Sequence, residues 1–269
     1  MFGFGSRYAT SEAVRLQKYT VLKKVNPRLG EIEIKVTQAA RDIARTSGLF
    51  YVPQIIEYDR DSGIIEFERI HGFITVGQFL AKNPDNITIL RRVGKVLAHI
   101  HNYLSVPPDV RQLTDARWLN INGDVVPMHG DFNTVNVGYK EDTDVIVVLD
   151  WASPASLGLG RTLGPRHLEL AHFIYSLCIH QANFLKSLYL LRRRANAFLE
   201  GYEAELGQPI DLSKIADFLL RISLVFCPVH DKDKNVLKRL YFGGIRSVGR
   251  IMFKSLSREW RQNPSLGSQ

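Results

Sequence analysis

His129-Gly130-Asp131-Phe132-Asn133-Thr134-Val135-Asn136, followed by Val145-Ile146-Val147-Val148-Leu149-Asp150-Trp151, is the stretch that decides how the rest of the chain is read. It places an Asn five residues after Asp131 and a second Asp 19 residues after it, at the end of a five-residue apolar run. Two carboxylates and a carboxamide gathered around a hairpin match the needs of phosphoryl transfer from a magnesium nucleotide. One carboxylate orients the attacking hydroxyl and takes its proton, while the Asn and the other Asp hold the metal against the phosphates. Hard oxygen ligands suit Mg²⁺, which keeps several waters and borrows phosphate oxygens. His-Gly-Asp alone would fit an ordinary acidic turn; the complete set argues for an active site.

The stretch resembles the His-Gly-Asp-x-x-x-x-Asn motif, with its following strand ending in Asp-Trp, of the aminoglycoside phosphotransferase and choline kinase family. His129, Asp131, Asn136, Asp150 and Trp151 match that pattern in type and spacing. The resemblance implies an α+β, two-lobed protein-kinase-like fold, with a small β-rich N-lobe at 1–70, a larger α-rich C-lobe at 71–262 and a tail at 263–269. It implies Asp131 as the group that receives the hydroxyl proton, His129 as a residue that orients the loop, and Asn136 and Asp150 as Mg²⁺ ligands. Trp151 is expected to pack beneath Asp150. The phosphate donor it implies is ATP, with GTP possible.

Upstream, Tyr19-Thr20-Val21-Leu22-Lys23-Lys24-Val25 puts Val21, Lys23 and Val25 on one face of a strand. It resembles the family's lysine strand. Lys23 is the expected phosphate ligand with Lys24 as the alternative, and Val21 would cover the adenine. Asn26-Pro27 reads as a turn, and residues 31–47 as a helix with an apolar stripe of Ile32, Val36, Ala39, Ala40, Ile43 and Ala44. The acid that steadies the lysine would lie there, Glu33 being preferred to Glu31. Strands are expected at Val52–Ile56 and Gly63–Phe67. Phe67-Glu68-Arg69-Ile70-His71-Gly72 then resembles a lobe-connecting hinge, in which the backbone of Glu68 and Ile70 would meet the adenine edge with Phe67 behind.

Residues 89–104 read as an amphipathic helix ending near His101, which is taken as structural. Glu169-Leu170-Ala171 resembles the family's Asp-Leu-Ala segment, with Glu replacing Asp. Helices are expected at 182–205, 212–225 and 234–260, the last interrupted at Gly243-Gly244. Two further departures accompany that replacement of Asp by Glu169. Phe-Asn-Thr-Val fills the loop where relatives have Leu-His-Pro-Gly, and Gly3 and Gly5 are the only glycines before the lysine strand, which implies an unusual phosphate-covering loop.

Composition bounds the function. The 269 residues are 45% hydrophobic and 23% charged, enough for a large core. Cys178 and Cys227 lack metal-ligand spacing and read as small core residues in a reducing compartment. With no basic start followed by an apolar run, and no long uninterrupted apolar window, a cytoplasmic protein is expected. Much of the net charge of +8 lies between Lys234 and Arg261. That region reads first as a terminal helix with a solvated basic face, and second as a contact for an anionic substrate or membrane surface. No nucleic-acid motif accompanies it, so no nucleic acid is expected.

Between Asp150 and Glu169 there is no long activation segment ending near Ala-Pro-Glu. The expected acceptor is therefore a small-molecule hydroxyl of sugar, aminoglycoside or amino-alcohol type. Tyr175, Tyr189, Tyr202, Glu200, Glu203 and Glu205 are candidates to line its pocket. Arg192-Arg193-Arg194 raises an anionic or lipid-linked sugar as an alternative, and the short glycine segment raises a nucleotide-binding pseudokinase scaffold.

Overall fold

The computed structural model describes residues 14–119, 124–152, 161–179, 187–225 and 236–263. It is α+β, β-rich in its N-terminal part and helical in its C-terminal part. The N-terminal sheet has strands β1 (Val14–Leu16), β2 (Thr20–Lys24), β4 (Ile55–Asp59) and β5 (Ile64–Glu68), in the antiparallel order β1-β2-β5-β4. The turn after β4 is held by Asp59, whose Oδ1 accepts from the Asp61 and Ser62 amides.

Helix α1 (Pro27–Ser47) begins earlier than its apolar stripe suggests. Asn26-Pro27 is its start rather than a separate turn. The Asn26 side chain caps the Arg28 amide, and proline sits at the first helical position, where a missing N–H is not missed. Val52-Pro53-Gln54 is not strand. Instead β3 (Phe50–Tyr51) leaves the N-terminal sheet and pairs in parallel with β9 (Val145–Val148). That second sheet runs β3-β9-β8-β6, with β6 at Phe73–Thr75 and β8 at Val137–Lys140.

The helical part contains α2 (Val76–Lys82), α3 (Thr88–Tyr103), α4 (Ala116–Leu119), α5 (Arg166–Ile179), α6 (Ser187–Leu206), α7 (Leu212–Val225) and α8 (Val236–Gln262). A short ladder of β7 (Val125–Pro127) and β10 (Leu163–Pro165) leads into the His129–Asn136 loop. Helix α8 runs unbroken through Gly243-Gly244, contrary to the expected interruption. A helical glycine costs only about 1 kcal/mol, which a long helix packed on a neighbour can absorb. From Gly249 onward, Met252, Phe253, Leu256 and Trp260 are buried while Lys254, Arg258 and Arg261 face solvent.

Helices α3 and α6 approach each other closely. Gly94 and Gly201 let the backbones meet: a β-carbon on Gly94 would lie 1.9 Å from Phe198 O, and one on Gly201 2.0 Å from Arg91 O. This closeness carries Tyr202 of α6 to His101 of α3, behind the His129–Asn136 loop. Cys178 is buried; Cys227, Gly3, Gly5 and the tail from 264 lie outside the described residues. Among the described residues no helix is long and apolar enough to cross a membrane.

Candidate active site

Lys23 is the fourth of the five residues of β2, opposite Ile65 of β5 and Val14 of β1. The two-residue strand period turns its side chain to the same face as Val21, while Lys24 is exposed. Lys23 Nζ donates to Glu33 Oε1 and Oε2 at 2.7 and 2.8 Å, and to Asp150 Oδ1. Glu31, the other candidate acid, pairs instead with Arg60 at the surface. Burial alone would lower the Lys23 pKa, but Asp150 and Glu33 outweigh it and leave the ammonium above its ordinary value. Glu33 is pushed up to about 7 by burial, against the pull of Lys23. The two carboxylates differ in reach: Asp150 keeps 32% of its side chain exposed and Glu33 only 3%, so Asp150 can meet a ligand and Glu33 acts through the lysine.

Asp150 is displayed by an unusual backbone. It has φ 64°, and Ala152 φ 52°, left-handed values uncommon outside glycine. Trp151, fully buried between them, fixes this turn: its indole donates to Val148 O at 3.3 Å and its ring lies 4.6 Å from that of His129. The Ala152 amide donates to His129 O, tying the two halves of the motif together.

His129 is buried and has both ring nitrogens engaged. Nε2 donates to Leu149 O at 2.8 Å, and Nδ1 accepts from the Asp131 amide at 3.2 Å. Burial lowers its pKa, so it is a neutral brace between loop and strand. Gly130, at φ 92°, makes the bend that a side chain would resist. Beyond it Asp131 is held at both oxygens: Oδ1 accepts from Asn133 Nδ2 at 3.0 Å and Oδ2 from Asn136 Nδ2 at 2.9 Å. Burial first, then the nearby Asp150 charge, raise Asp131 to about 7, against the two carboxamides. His172 Nε2 lies 3.9 Å from Asp131 Oδ1.

Asn136 Nδ2 also donates to Asp131 O, which turns the carboxamide oxygen of Asn136 away from Asp131. The Leu149 amide donates to Asn136 O, so Asn136 lies one residue across the hairpin from Asp150. A carboxylate and a carboxamide on residues one step apart across the hairpin are hard oxygen donors that fit Mg²⁺ bound largely through water and phosphate. Among the described residues no group of three or more His, Cys, Asp or Glu could hold a metal by itself.

Glu169 anchors the loop from behind. Its buried carboxylate accepts from the His129 amide at 3.1 Å, the Gly130 amide at 2.7 Å and His101 Nε2 at 2.9 Å. Burial opposes the charge, yet His101 and the loop hold Glu169 below the usual carboxylate range. His101 is itself kept neutral by burial, so this pair is a hydrogen bond from a neutral imidazole to a carboxylate.

The expected adenine contacts are only partly available. The Glu68 amide donates to Gln54 O, and its carboxylate accepts from the Tyr51 hydroxyl and the Gln54 amide. Ile70 is half-buried beside it, and Val21 pairs across the sheet with Phe67. The proposed acceptor-pocket residues are engaged elsewhere. Glu200 pairs with Arg91, Glu205 with His99, and Glu203 caps the Ile210 amide. Tyr175 packs on Phe253, Tyr202 binds His101, and Tyr189 is exposed.

The arginine cluster faces three ways. Arg192 pairs with Glu259 and Arg193 with Asp85, while buried Arg194 donates to the carbonyls of Leu80 and Pro84. It is therefore no single anion site. Sequence reading missed Asn133, whose Oδ1 also accepts the Val135 and Asn136 amides. An Asn two residues after the Asp of a loop is a turn signal that could have found it.

No protein-family model matches the chain, and no curated protein matches it by sequence. Solved structures do match. A choline/ethanolamine kinase family protein from Mesorhizobium loti aligns with TM-score 0.57 at 12% identity, over 93% of this chain and 89% of that one. Choline kinase LicA from Streptococcus pneumoniae aligns with TM-score 0.57 at 12% identity, over 91% of each chain. A glucosamine kinase aligns with TM-score 0.57 at 11% identity, over 90% of this chain and 74% of that one. At such identities the likeness speaks for architecture, and the chain has the protein-kinase-like fold of these small-molecule kinases.

Proposed function

We propose that this protein is a phosphotransferase that moves the γ-phosphate of a magnesium nucleotide, ATP or GTP, to a hydroxyl of a small molecule. The observation that carries the reading is the meeting of Lys23, braced by buried Glu33, with Asp150, next to Asn136 and the twice-held Asp131. Lys23 binds the non-transferred phosphates, and Glu33 keeps it extended. Asn136 and Asp150 would hold Mg²⁺, which when bound neutralises charge on the phosphate oxygens. Asp131 orients the acceptor hydroxyl. As the new O–P bond forms and the bond to the leaving nucleoside diphosphate breaks, the hydroxyl proton passes to Asp131. A loose transition state asks for positioning more than base strength, so a carboxylate suffices. Val21, with the backbone of Glu68 and Ile70, borders the base.

Only residues 151–165 separate Asp150 from α5, too little chain for a protein-substrate platform. That favours a small acceptor, as do the choline/ethanolamine and glucosamine kinases whose fold it shares. Stabilisation by Mg²⁺ with ATP or GTP tests the reading. Nucleotide at 100 times its dissociation constant adds about 2.7 kcal/mol, and Asp150→Asn should abolish the metal-dependent part. A shift in wild type then licenses screening of sugars and amino alcohols, with Asp131→Ala as the inactive control. Absence of any shift with either nucleotide, on folded protein, sinks the proposal.

A further inference from the structure

A chain of buried polar groups continues past Glu169 into a helix that no motif marks. Arg166 Nη1 donates to Tyr202 Oη at 3.4 Å, Tyr202 Oη lies 2.7 Å from His101 Nδ1, and His101 Nε2 lies 2.9 Å from Glu169 Oε2. Tyr202, His101 and Glu169 are all buried. The direction of each bond follows from chemistry. A guanidinium only donates and a carboxylate only accepts. The Glu169 carboxylate fixes a His101 proton on Nε2; burial disfavours a second proton, which leaves Nδ1 as an acceptor for the Tyr202 hydroxyl while that oxygen accepts from Arg166. Burial drives the Tyr202 phenol above its ordinary pKa, so the hydroxyl keeps that proton.

We infer that Tyr202 is a positioning residue: by satisfying His101 Nδ1 it fixes the imidazole against Glu169, and so fixes the His129–Gly130 backbone that aims Asp131. Without the hydroxyl, a buried lone pair is left without a donor, and the ring is held at one nitrogen instead of two. Glu169 then shares its charge less evenly among three N–H groups. The kinetic consequence rests on the phosphotransferase reading; the spectroscopic one does not.

The test uses the whole chain carrying Tyr202→Phe, which keeps the ring and removes only the hydroxyl, with Leu199→Val on the same helix as a packing control. In the spectroscopic arm, the Gly130 amide proton, deshielded by its 2.7 Å bond to Glu169, should change its shift in Tyr202→Phe and stay in place in Leu199→Val. In the kinetic arm the probe is hydrolysis of Mg-ATP, with water taking the acceptor's place. Tyr202→Phe should lower kcat about tenfold with KM for ATP within about twofold, because misaimed Asp131 weakens the chemical step and leaves nucleotide binding alone. His101→Ala with Tyr202→Phe should be no slower than His101→Ala alone, since one acts through the other. A Gly130 amide that does not move overturns the inference, as does a kcat loss matched by Leu199→Val or added in full to that of His101→Ala. If wild type hydrolyses no ATP, the kinase reading fails, and the Gly130 amide still decides the role of Tyr202.

Discussion

Replacing Gly94 with alanine offers a measure of how closely α3 and α6 must meet. The added β-carbon would lie 1.9 Å from Phe198 O, 2.8 Å from Tyr202 N and 3.0 Å from Phe198 C, all backbone atoms that no rotamer change can withdraw. Reaching even 3.0 Å, the floor for real β-carbon contacts, requires a displacement of 3.0 − 1.9 = 1.1 Å. The His101 to Tyr202 bond of 2.7 Å spans the same helix pair, and that displacement would stretch it past hydrogen-bonding range. Overpacking costs about 1–3 kcal/mol, and a backbone clash belongs at the upper end. A lost buried hydrogen bond adds about 1 kcal/mol, and the better helix propensity of alanine returns up to about 1 kcal/mol. The net expectation is a loss of about 3 kcal/mol, or roughly 6–12 °C in Tm for a chain of this size.

Gly249 in α8 is the matched control. A β-carbon there would touch Cys178 Sγ and Phe253 at 3.6 Å, ordinary contact, so Gly249→Ala should be neutral or stabilise by up to about 1 kcal/mol. Urea unfolding of the two variants and wild type, with m unchanged, reads the difference directly. A Gly94→Ala protein within about 0.5 kcal/mol of wild type, or one no less stable than Gly249→Ala, would refute the close-approach argument.

Other expectations follow from the buried charges. Glu169→Gln should lose about 3–5 kcal/mol at neutral pH, since an amide NH₂ would face a buried N–H donor. Because the folded pKa of Glu169 lies below its ordinary 4.5, the stability it adds is present above that value and is lost as pH falls; the variant's acid limb should be shallower, as urea titrations at pH 3 to 7 would show. The Asp131 carboxyl carbon should titrate near pH 7 by NMR, and Asp150→Asn should move that midpoint down by removing the neighbouring charge; a midpoint near 4 in wild type would contradict the burial described. The direction of its linkage is opposite to that of Glu169: raised above 3.8, it favours the fold at low pH and loses that contribution as pH rises through about 7. Arg194→Met should cost about 1–3 kcal/mol by stripping the Leu80 and Pro84 carbonyls of their donor, without altering nucleotide affinity in calorimetry.

The grouping of the candidate site's central residues was legible in the sequence because they are near one another in the chain. His129, Gly130, Asp131, Asn136 and Asp150 lie on one loop and hairpin, where spacing translates into proximity through β geometry. Lys23 could be placed on a strand face by period alone, but which of Lys23 and Lys24 turned inward, and which of Glu31 and Glu33 met it, depended on how α1 packs against the sheet. Helix phase leaves that open, since residues two apart on a helix lie on different faces that a sequence does not label as buried. The pairing of β3 with β9 was invisible for a similar reason: two residues carry no periodicity. Most distant from the sequence was the support of the loop. His101, Glu169 and Tyr202 come from three helices, and only the glycine-to-backbone approach of α3 and α6 brings Tyr202 to His101. The chain's own order thus determined the reactive groups, whose identity is covalent and whose neighbours are near in sequence. Tertiary packing decided which charges were buried and what held them, because desolvation and long-range hydrogen bonds exist only once the helices have met.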